Sequence, residues 1–101
     1  MTAILWTDTT KADFLGLVEW LTTKNPDAAA RVGRHILDTV EHLAEHPLMG
    51  KPGRSPDTRE LVVTTAPYVV VYSVTHGDHK LKLSQIFVLR ILHNAMLWPP
   101  V

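Results

Sequence analysis

The spacing of apolar residues in the first part of the chain predicts a strand followed by a helix. The short apolar run Thr2–Trp6 predicts a first β-strand, and the polar cluster after it predicts a helix start. Thr10 and Asp13 have the spacing of a capping box, with the acid near the positive end of the helix dipole. Apolar residues then recur at helical spacing, at Phe14, Leu17, Val18 and Leu21.

A second helix is predicted to follow almost at once. Asn25 suits a cap and Pro26 suits the first position of a helix, so the pair should end one helix and begin the next. The second helix is expected to run to about Glu45. Its apolar stripe consists of Ala29, Val32, Gly33, Ile36, Leu37, Val40, Leu43 and Ala44. The short connection predicts an antiparallel hairpin, and Gly16 and Gly33 predict close contact between helices.

Beyond the second helix, the apolar period changes from 3.6 to 2. A loop rich in turn residues spans positions 49–57. Strands are then predicted at Glu60–Thr65, Tyr68–Thr75 and Lys80–His93. A tight turn is expected at 76–79, and a bulge at Ser84-Gln85, where the alternation slips. The predicted fold class is α+β: a strand, a helix hairpin and a three-stranded antiparallel meander in one small sheet.

Length and composition narrow the class of protein. With 101 residues, the chain is expected to form a single domain over 1–101. It contains no cysteine, which excludes disulfides, thiolate zinc sites and a cysteine nucleophile. No signal-like N-terminus and no membrane-spanning stretch are visible, so a cytoplasmic protein without membrane contact is expected. Nothing in the sequence calls for a cofactor.

The charges are unevenly distributed, although the net charge is zero. Residues 1–50 carry four cations and seven acids, whereas residues 51–101 carry six cations and three acids. A basic second half is typical of proteins that bind nucleic acid or an acidic protein, but a difference of this size also arises by chance.

Three residues are candidates for a ribonuclease site. Cleavage of RNA by its own 2′-hydroxyl requires a base, cations for the phosphate and an acid. Arg59 and Arg90 could bind phosphate in a bidentate manner, Lys51 and Arg54 could add charge, and His93 is of the residue type that most often serves as a general acid or base. On a regular strand Arg90 and His93 face opposite sides, so they converge only if the strand ends or bends.

Structural roles are open for the same residues. Arg90 could form an ion pair with Glu60 or with an acid on a helix, and His93 could make a hydrogen bond at a strand end. His42 and His46 have the i, i+4 spacing of metal ligands, but no third ligand is evident, so no metal site is expected. The aromatic residues Tyr68, Tyr72 and Trp98 are expected to pack in the structure more than to stack on bases.

Several segments together resemble one family of small proteins. They are Ile4–Thr7, Asn25–Ala29, Pro47–Arg54, Thr58–Val63, Pro67–Tyr72, Leu89–Ala95 and Trp98-Pro99. In this order and spacing the chain resembles toxins of the RelE/ParE superfamily, the toxin half of type II toxin-antitoxin pairs. The last strand and tail are more similar to the ParE-like branch.

The resemblance implies a function and partners. Such toxins have a small α+β fold and are neutralised by a cognate antitoxin, with which a hetero-oligomer is expected. ParE-like members trap DNA gyrase, and RelE-like members cut mRNA in the ribosome. Under the first alternative, the expected target-binding residues are Lys51, Arg54, Arg59, Arg90 and Trp98. Under the second, Arg59, Arg90 and His93 are the expected catalytic residues.

Overall fold

The computed structural model describes residues 2–76 and 84–94. The elements in chain order are β1 (Thr2–Trp6), α1 (Asp8–Lys24), α2 (Pro26–His42), β2 (Lys51–Pro52), β3 (Arg59–Val62), β4 (Tyr68–His76) and β5 (Ser84–His93). Three predicted features lie outside the described residues: the turn at 77–79, positions 80–83 of the last predicted strand, and Trp98. Within the described ranges, neither helix has the length and apolar character needed to span a bilayer.

The sheet is larger than the sequence predicts. Its five strands are arranged in the order β1-β5-β4-β3-β2. The predicted meander corresponds to β3, β4 and β5, which pair antiparallel. The first strand joins the same sheet parallel to β5, and the two-residue β2 extends the opposite edge within the predicted loop. Both additions pair segments that are not joined by a tight turn, and apolar periodicity does not reveal such pairs.

The main core lies between the helices and one face of the sheet. Alternate residues of β4 and β5 meet the apolar stripe of α2 there, where the buried residues include Ile36, Val40, Leu43, Val70, Tyr72, Ile86 and Val88. Phe14 and Leu17 of α1 pack against the same cluster. The intervening residues Val69, Val71 and Leu92 form a second buried cluster on the opposite face. The helical stripes predicted from the sequence therefore do face the core.

The start of α1 differs from the prediction. Thr7 is the N-cap, because its side-chain oxygen accepts a hydrogen bond from the Thr10 amide at 3.1 Å. Thr10 lies inside the first turn, fully buried, and its hydroxyl donates to the Val88 carbonyl at 2.5 Å. The prediction of Thr10 and Asp13 as a capping box was therefore wrong, because both side chains are used in contacts with β5 instead.

The junction between the helices agrees with the prediction, but the end of α2 does not. Asn25 caps α2 by accepting a hydrogen bond from the Ala28 amide at 3.2 Å, and Pro26 occupies the start of the helix. The helix ends at His42, three residues before the predicted end. The amides of residues 43–45 bond to carbonyls three residues earlier, which tightens this last stretch into a turn.

The two glycines in the helices have different surroundings. A Cβ added at Gly33 would lie 3.6 Å from the Val18 side chain and 3.7 Å from that of Phe14, which confirms the close approach of the helices there. A Cβ added at Gly16 would meet nothing within 4 Å. The prediction of a close helix contact at Gly16 was therefore wrong.

The irregularity in the sheet lies further along β5 than predicted. Tyr72 pairs with Val88 and Val71 pairs with Arg90, so Leu89 is the extra residue of a β-bulge. Ser84 and Gln85, where the bulge was expected, pair in regular register with β4. The sequence becomes apolar after Gln85 because Ile86 and Val88 are buried, and the strand pairing is not broken there.

The outer edge of β5 changes partner at the bulge. Pairing with β1 ends where Trp6 meets Val88, and the Thr7 amide then bonds to the Val88 carbonyl at 3.2 Å. Further along this edge, the Ile91 amide donates to Asp13 Oδ2 at 3.1 Å. The first two turns of α1 thus satisfy backbone groups that β1 leaves unpaired, which is a requirement for buried sheet edges.

Substitution of two glycines by alanine should change stability in opposite directions. Gly16→Ala should raise the free energy of unfolding by about 0.5–1 kcal/mol, because it restores helix propensity without a clash. Gly50→Ala should lower it by about 1–3 kcal/mol, because the new Cβ would lie 2.7 Å from the Tyr72 hydroxyl and 2.9 Å from the Glu60 carbonyl. Urea unfolding measures both. Equal effects of the two substitutions would contradict the described packing.

Candidate functional site

Arg90 is held by a carboxylate of the first helix. Its Nε lies 2.7 Å from Asp13 Oδ2 and its Nη2 lies 3.1 Å from Asp13 Oδ1, a two-pronged pair. Hydrogen bonds from Asp13 raise the pKa of the Arg90 guanidinium above its ordinary value; burial opposes this shift and the charge of Asp13 adds to it. Of the two structural roles left open by the sequence, the pair with a helix acid is the one observed.

His93 ends the same strand but belongs to a different face. Pairing is regular from Arg90 to His93, so β5 does not bend there. Arg90 lies opposite Val71 and His93 lies opposite Tyr68, and these two residues of β4 face opposite sides of the sheet. The His93 and Tyr68 rings are arranged edge to face, with centroids 5.6 Å apart. The strand therefore does not bring Arg90 and His93 to one point.

Arg59 lies in another part of the sheet. It pairs with Tyr72, four residues along β4 from the partner of His93, which corresponds to about 13 Å along the strand. Its Nη1 donates to the Gly50 carbonyl at 2.7 Å and to the Leu48 carbonyl at 3.4 Å. The three predicted catalytic residues are thus distributed over two faces and two ends of the sheet.

Arg54 is engaged by a buried carboxylate. Glu60 is only 4 % exposed, and its Oε2 accepts the Arg54 amide at 2.7 Å. The Arg54 side chain also contacts it, with Nη2 3.1 Å from Oε1. Burial by itself raises the pKa of Glu60, but hydrogen bonds from the Arg54 side chain and backbone, together with the charges of Arg54 and Lys51, outweigh burial and lower that pKa. Lys51, the cross-strand neighbour of Glu60, is exposed.

A buried tyrosine hydroxyl holds the loop between α2 and β2. Tyr72 Oη donates to the Pro47 carbonyl at 2.8 Å and accepts the Gly50 amide at 2.8 Å. Burial raises the pKa of Tyr72, while the Gly50 hydrogen bond and the charge of Arg59 act in the opposite direction. The prediction of Tyr72 as a packing residue covers its ring only. Its polar role depends on a loop 22 residues away in sequence, for which the sequence has no visible signal.

The two histidines with metal-ligand spacing, His42 and His46, lie at the surface near the end of α2. Within residues 2–76 and 84–94, no group of three or more histidine and acidic side chains has the arrangement that could hold a metal ion. His42 and His46 instead line a surface groove together with Pro47, Leu48 and Met49. The apolar pair Leu48 and Met49 was part of the family-like segment Pro47–Arg54, but the sequence did not indicate that these side chains are exposed.

Removal of the Asp13 carboxylate should destabilise the protein. Asp13→Ala loses two hydrogen bonds from Arg90 and one from the Ile91 amide, so the free energy of unfolding should fall by about 2–3 kcal/mol. Asp8→Ala removes an acid from the first turn of the same helix and should change it by less than about 1 kcal/mol. Urea unfolding of both variants provides the comparison. Similar losses in the two variants would mean that the contacts with β5 add nothing beyond the helix dipole.

The lowered pKa of Glu60 should make stability depend on pH. A carboxyl group whose pKa is lower in the folded state stabilises the fold above its unfolded pKa, which for glutamate has an ordinary value of 4.5. This contribution is lost as the pH falls through the lower folded pKa. The stability difference between wild type and Glu60→Gln should therefore shrink as the pH falls from about 6 to about 3. Chemical unfolding over this range tests it; a difference independent of pH would contradict the assigned contacts.

Comparison with known proteins gives consistent matches to toxins. Residues 4–98 match the family model described as the ParE toxin of the type II toxin-antitoxin system parDE. The toxin candidate Y4kP of Sinorhizobium fredii is 39 % identical over 77 residues, which cover 76 % of this chain and 72 % of that protein. Toxin RelE1 of Caulobacter vibrioides is 34 % identical over 86 residues, which cover 83 % of this chain and 84 % of that protein.

Solved structures show the same fold. The chromosomal ParDE toxin-antitoxin system from P. aeruginosa contains a chain that aligns with a TM-score of 0.72 at 23 % identity, covering 90 % of this chain and 94 % of that chain. The RelBE2 complex from Mycobacterium tuberculosis aligns with a TM-score of 0.57 at 21 % identity, covering 90 % and 95 %. Since the family model spans nearly the whole sequence, the chain belongs to the ParE toxin family within the RelE/ParE superfamily, and it is a toxin of a type II toxin-antitoxin system.

Proposed function

We propose that this toxin stops growth by binding and inhibiting DNA gyrase, without chemistry of its own. The similarity to the ParE-like branch supports this target, because such toxins are expected to trap gyrase. The observation that carries the proposal is the pairing of Arg90 with Asp13. A guanidinium that already holds a carboxylate in a two-pronged pair is poorly available for the phosphate of an RNA substrate.

The distribution of the other candidates supports the same conclusion. General acid-base cleavage requires the proton-transferring group and the phosphate-binding cations within reach of one substrate. Arg59 bonds to carbonyls of the loop after α2, whereas His93 lies at the far end of β5 beside Tyr68. An interaction surface tolerates such dispersion, since each residue can contact a different part of a large partner.

The alternative function is a ribosome-dependent mRNA endonuclease. The 34 % identity to toxin RelE1 favours this alternative, because RelE-like toxins are expected to cut mRNA. Under this alternative Arg59 and Arg90 would bind phosphate and His93 would transfer the proton. The ribosome would then have to displace Asp13 from Arg90, or supply groups that the described residues do not bring to Arg90.

The toxin is also proposed to bind a cognate antitoxin in a hetero-oligomer. The two structural neighbours come from a ParDE toxin-antitoxin system and from a toxin-antitoxin complex. On this chain, Leu15 and Trp20 of α1 are exposed apolar side chains. A groove of about 420 Å³, lined in part by Trp20, Gly16 and Ile91, could accept an apolar partner segment. Gyrase as the target would place the active toxin in the cytoplasm.

The two functions differ in their expected effect on DNA supercoiling. Purified toxin, free of antitoxin, should inhibit gyrase supercoiling at concentrations that match those which stop growth. His93→Gln should retain both effects, because binding does not require a proton-transferring group. Primer extension on transcripts from intoxicated cells should show no new 5′ ends within codons. Unchanged supercoiling, together with codon-specific cleavage that His93→Gln abolishes, would instead establish the endonuclease.

A further inference from the structure

Two neighbouring apolar residues are displayed at the end of the loop after α2. Leu48 is 58 % exposed and Met49 is 48 % exposed. Six large apolar side chains are exposed in the described part of the chain, and Leu48 and Met49 are the only two of these that adjoin in sequence. We call this pair the apolar tip. Large exposed apolar patches mark interaction sites in proteins, and this pair forms a small patch of that type.

The backbone that carries the apolar tip is fixed from beneath. The Tyr72 hydroxyl bonds to Pro47 on one side of the tip and to Gly50 on the other. Arg59 adds bonds to the Gly50 and Leu48 carbonyls. The loop therefore turns its polar backbone groups inward and its apolar side chains outward. A surface held in this way loses little conformational freedom on binding, which favours affinity.

The apolar tip borders two open depressions of the surface. A groove of about 850 Å³ is lined by His42, His46, Pro47 and the tip. A smaller pocket of about 310 Å³ lies on the other side of Leu48, lined in part by Arg59 and Val74. Leu48 lines both depressions, so a partner that covers Leu48 would contact both of them.

Beside the apolar tip lies the charge of Arg59, which no carboxylate among the described residues pairs with. Arg54 and Arg90 are paired with carboxylates, but Arg59 bonds only to backbone carbonyls within the described residues. Asp57 lines the same small pocket, yet no ion pair joins it to Arg59. The larger groove is lined by His42 and His46. Glu41 and Glu45, which precede these histidines in sequence, do not line it. An acidic group on a partner would complement this surface.

We propose that the apolar tip and Arg59 together dock an acidic, apolar protein segment of the toxin's target. The apolar side chains would enter the contact while a partner carboxylate pairs with Arg59. Methionine and arginine are enriched in the cores of protein interfaces, whereas RNA phosphates offer nothing to Leu48 and Met49. The inference rests on the proposed function in naming gyrase as the partner, but the tip itself is defined by this chain alone.

Polar substitution of the apolar tip tests the inference directly. Leu48→Ser/Met49→Ser should weaken inhibition of purified gyrase by roughly tenfold or more. Val62→Ser is the matched control, since Val62 is also 58 % exposed but lies on the opposite face of the sheet. It should leave inhibition unchanged. Circular dichroism and urea unfolding of each variant establish that the fold is retained.

Removal of the Arg59 charge provides a second test. Arg59→Met should weaken gyrase inhibition and should also make it less sensitive to salt, compared from about 50 to about 300 mM NaCl. Arg59→Lys should keep most of the salt dependence. A loop that is merely loosened would lower inhibition equally at all salt concentrations, which would overturn the role assigned to the charge.

The outcomes separate failure of the docking inference from failure of the proposed function. If wild type inhibits gyrase and the double variant does so equally well, the docking inference is overturned and the proposed function stands.

If wild type does not inhibit gyrase, growth arrest becomes the readout for the same variants. Relief of arrest in the double variant but not in Val62→Ser then supports docking to another protein target. Loss of a dimer in light scattering, with unchanged arrest, would assign the tip to a second copy and overturn the inference.

Discussion

The open edge of β5 beyond Val88 is the constraint on which the rest of the structure depends. β1 pairs with β5 only as far as Val88, and the backbone groups after that point still require partners in a partly buried position. The start of α1 supplies them through Thr7, Thr10 and Asp13. This contact sets where α1 lies on the sheet, and it explains why the helix begins at Asp8 and not three residues later. It also places a carboxylate where Arg90 can reach it.

The loop between α2 and β2, at the other side of the sheet, also has backbone polar groups that require partners, but it finds them in a different way. Its backbone groups find partners in the side chains of Tyr72 and Arg59, which lie on paired strands. Because the polar groups are satisfied inside, the side chains of Leu48 and Met49 are left on the outside. The buried Tyr72 hydroxyl thus holds the loop in a shape that leaves two adjacent apolar side chains at the surface.

These two arrangements bear on function because they give the arginines of the second half of the chain different roles. Arg90 and Arg54 neutralise carboxylates that the fold itself uses, so neither is a ready phosphate ligand. Arg59 keeps a charge that no described carboxylate compensates, next to the apolar side chains. A toxin of the ParE family built in this way offers a partner a mixed apolar and cationic surface, and within the described residues Arg59, Arg90 and His93 do not meet at one place.

The sequence by itself determined the two helices, four of the five strands and the family. The strand Thr2–Trp6, the junction at Asn25-Pro26 and the apolar stripes depend on residues near one another, so their spacing was sufficient. The sequence could not identify the acid that binds Arg90, because Asp13 lies 77 residues away. The bulge at Leu89, the cap at Thr7 and the exposure of Leu48 were likewise decided by the tertiary structure. Each depends on where β1 stops along β5 or on what Tyr72 reaches, and local periodicity does not encode such long-range contacts.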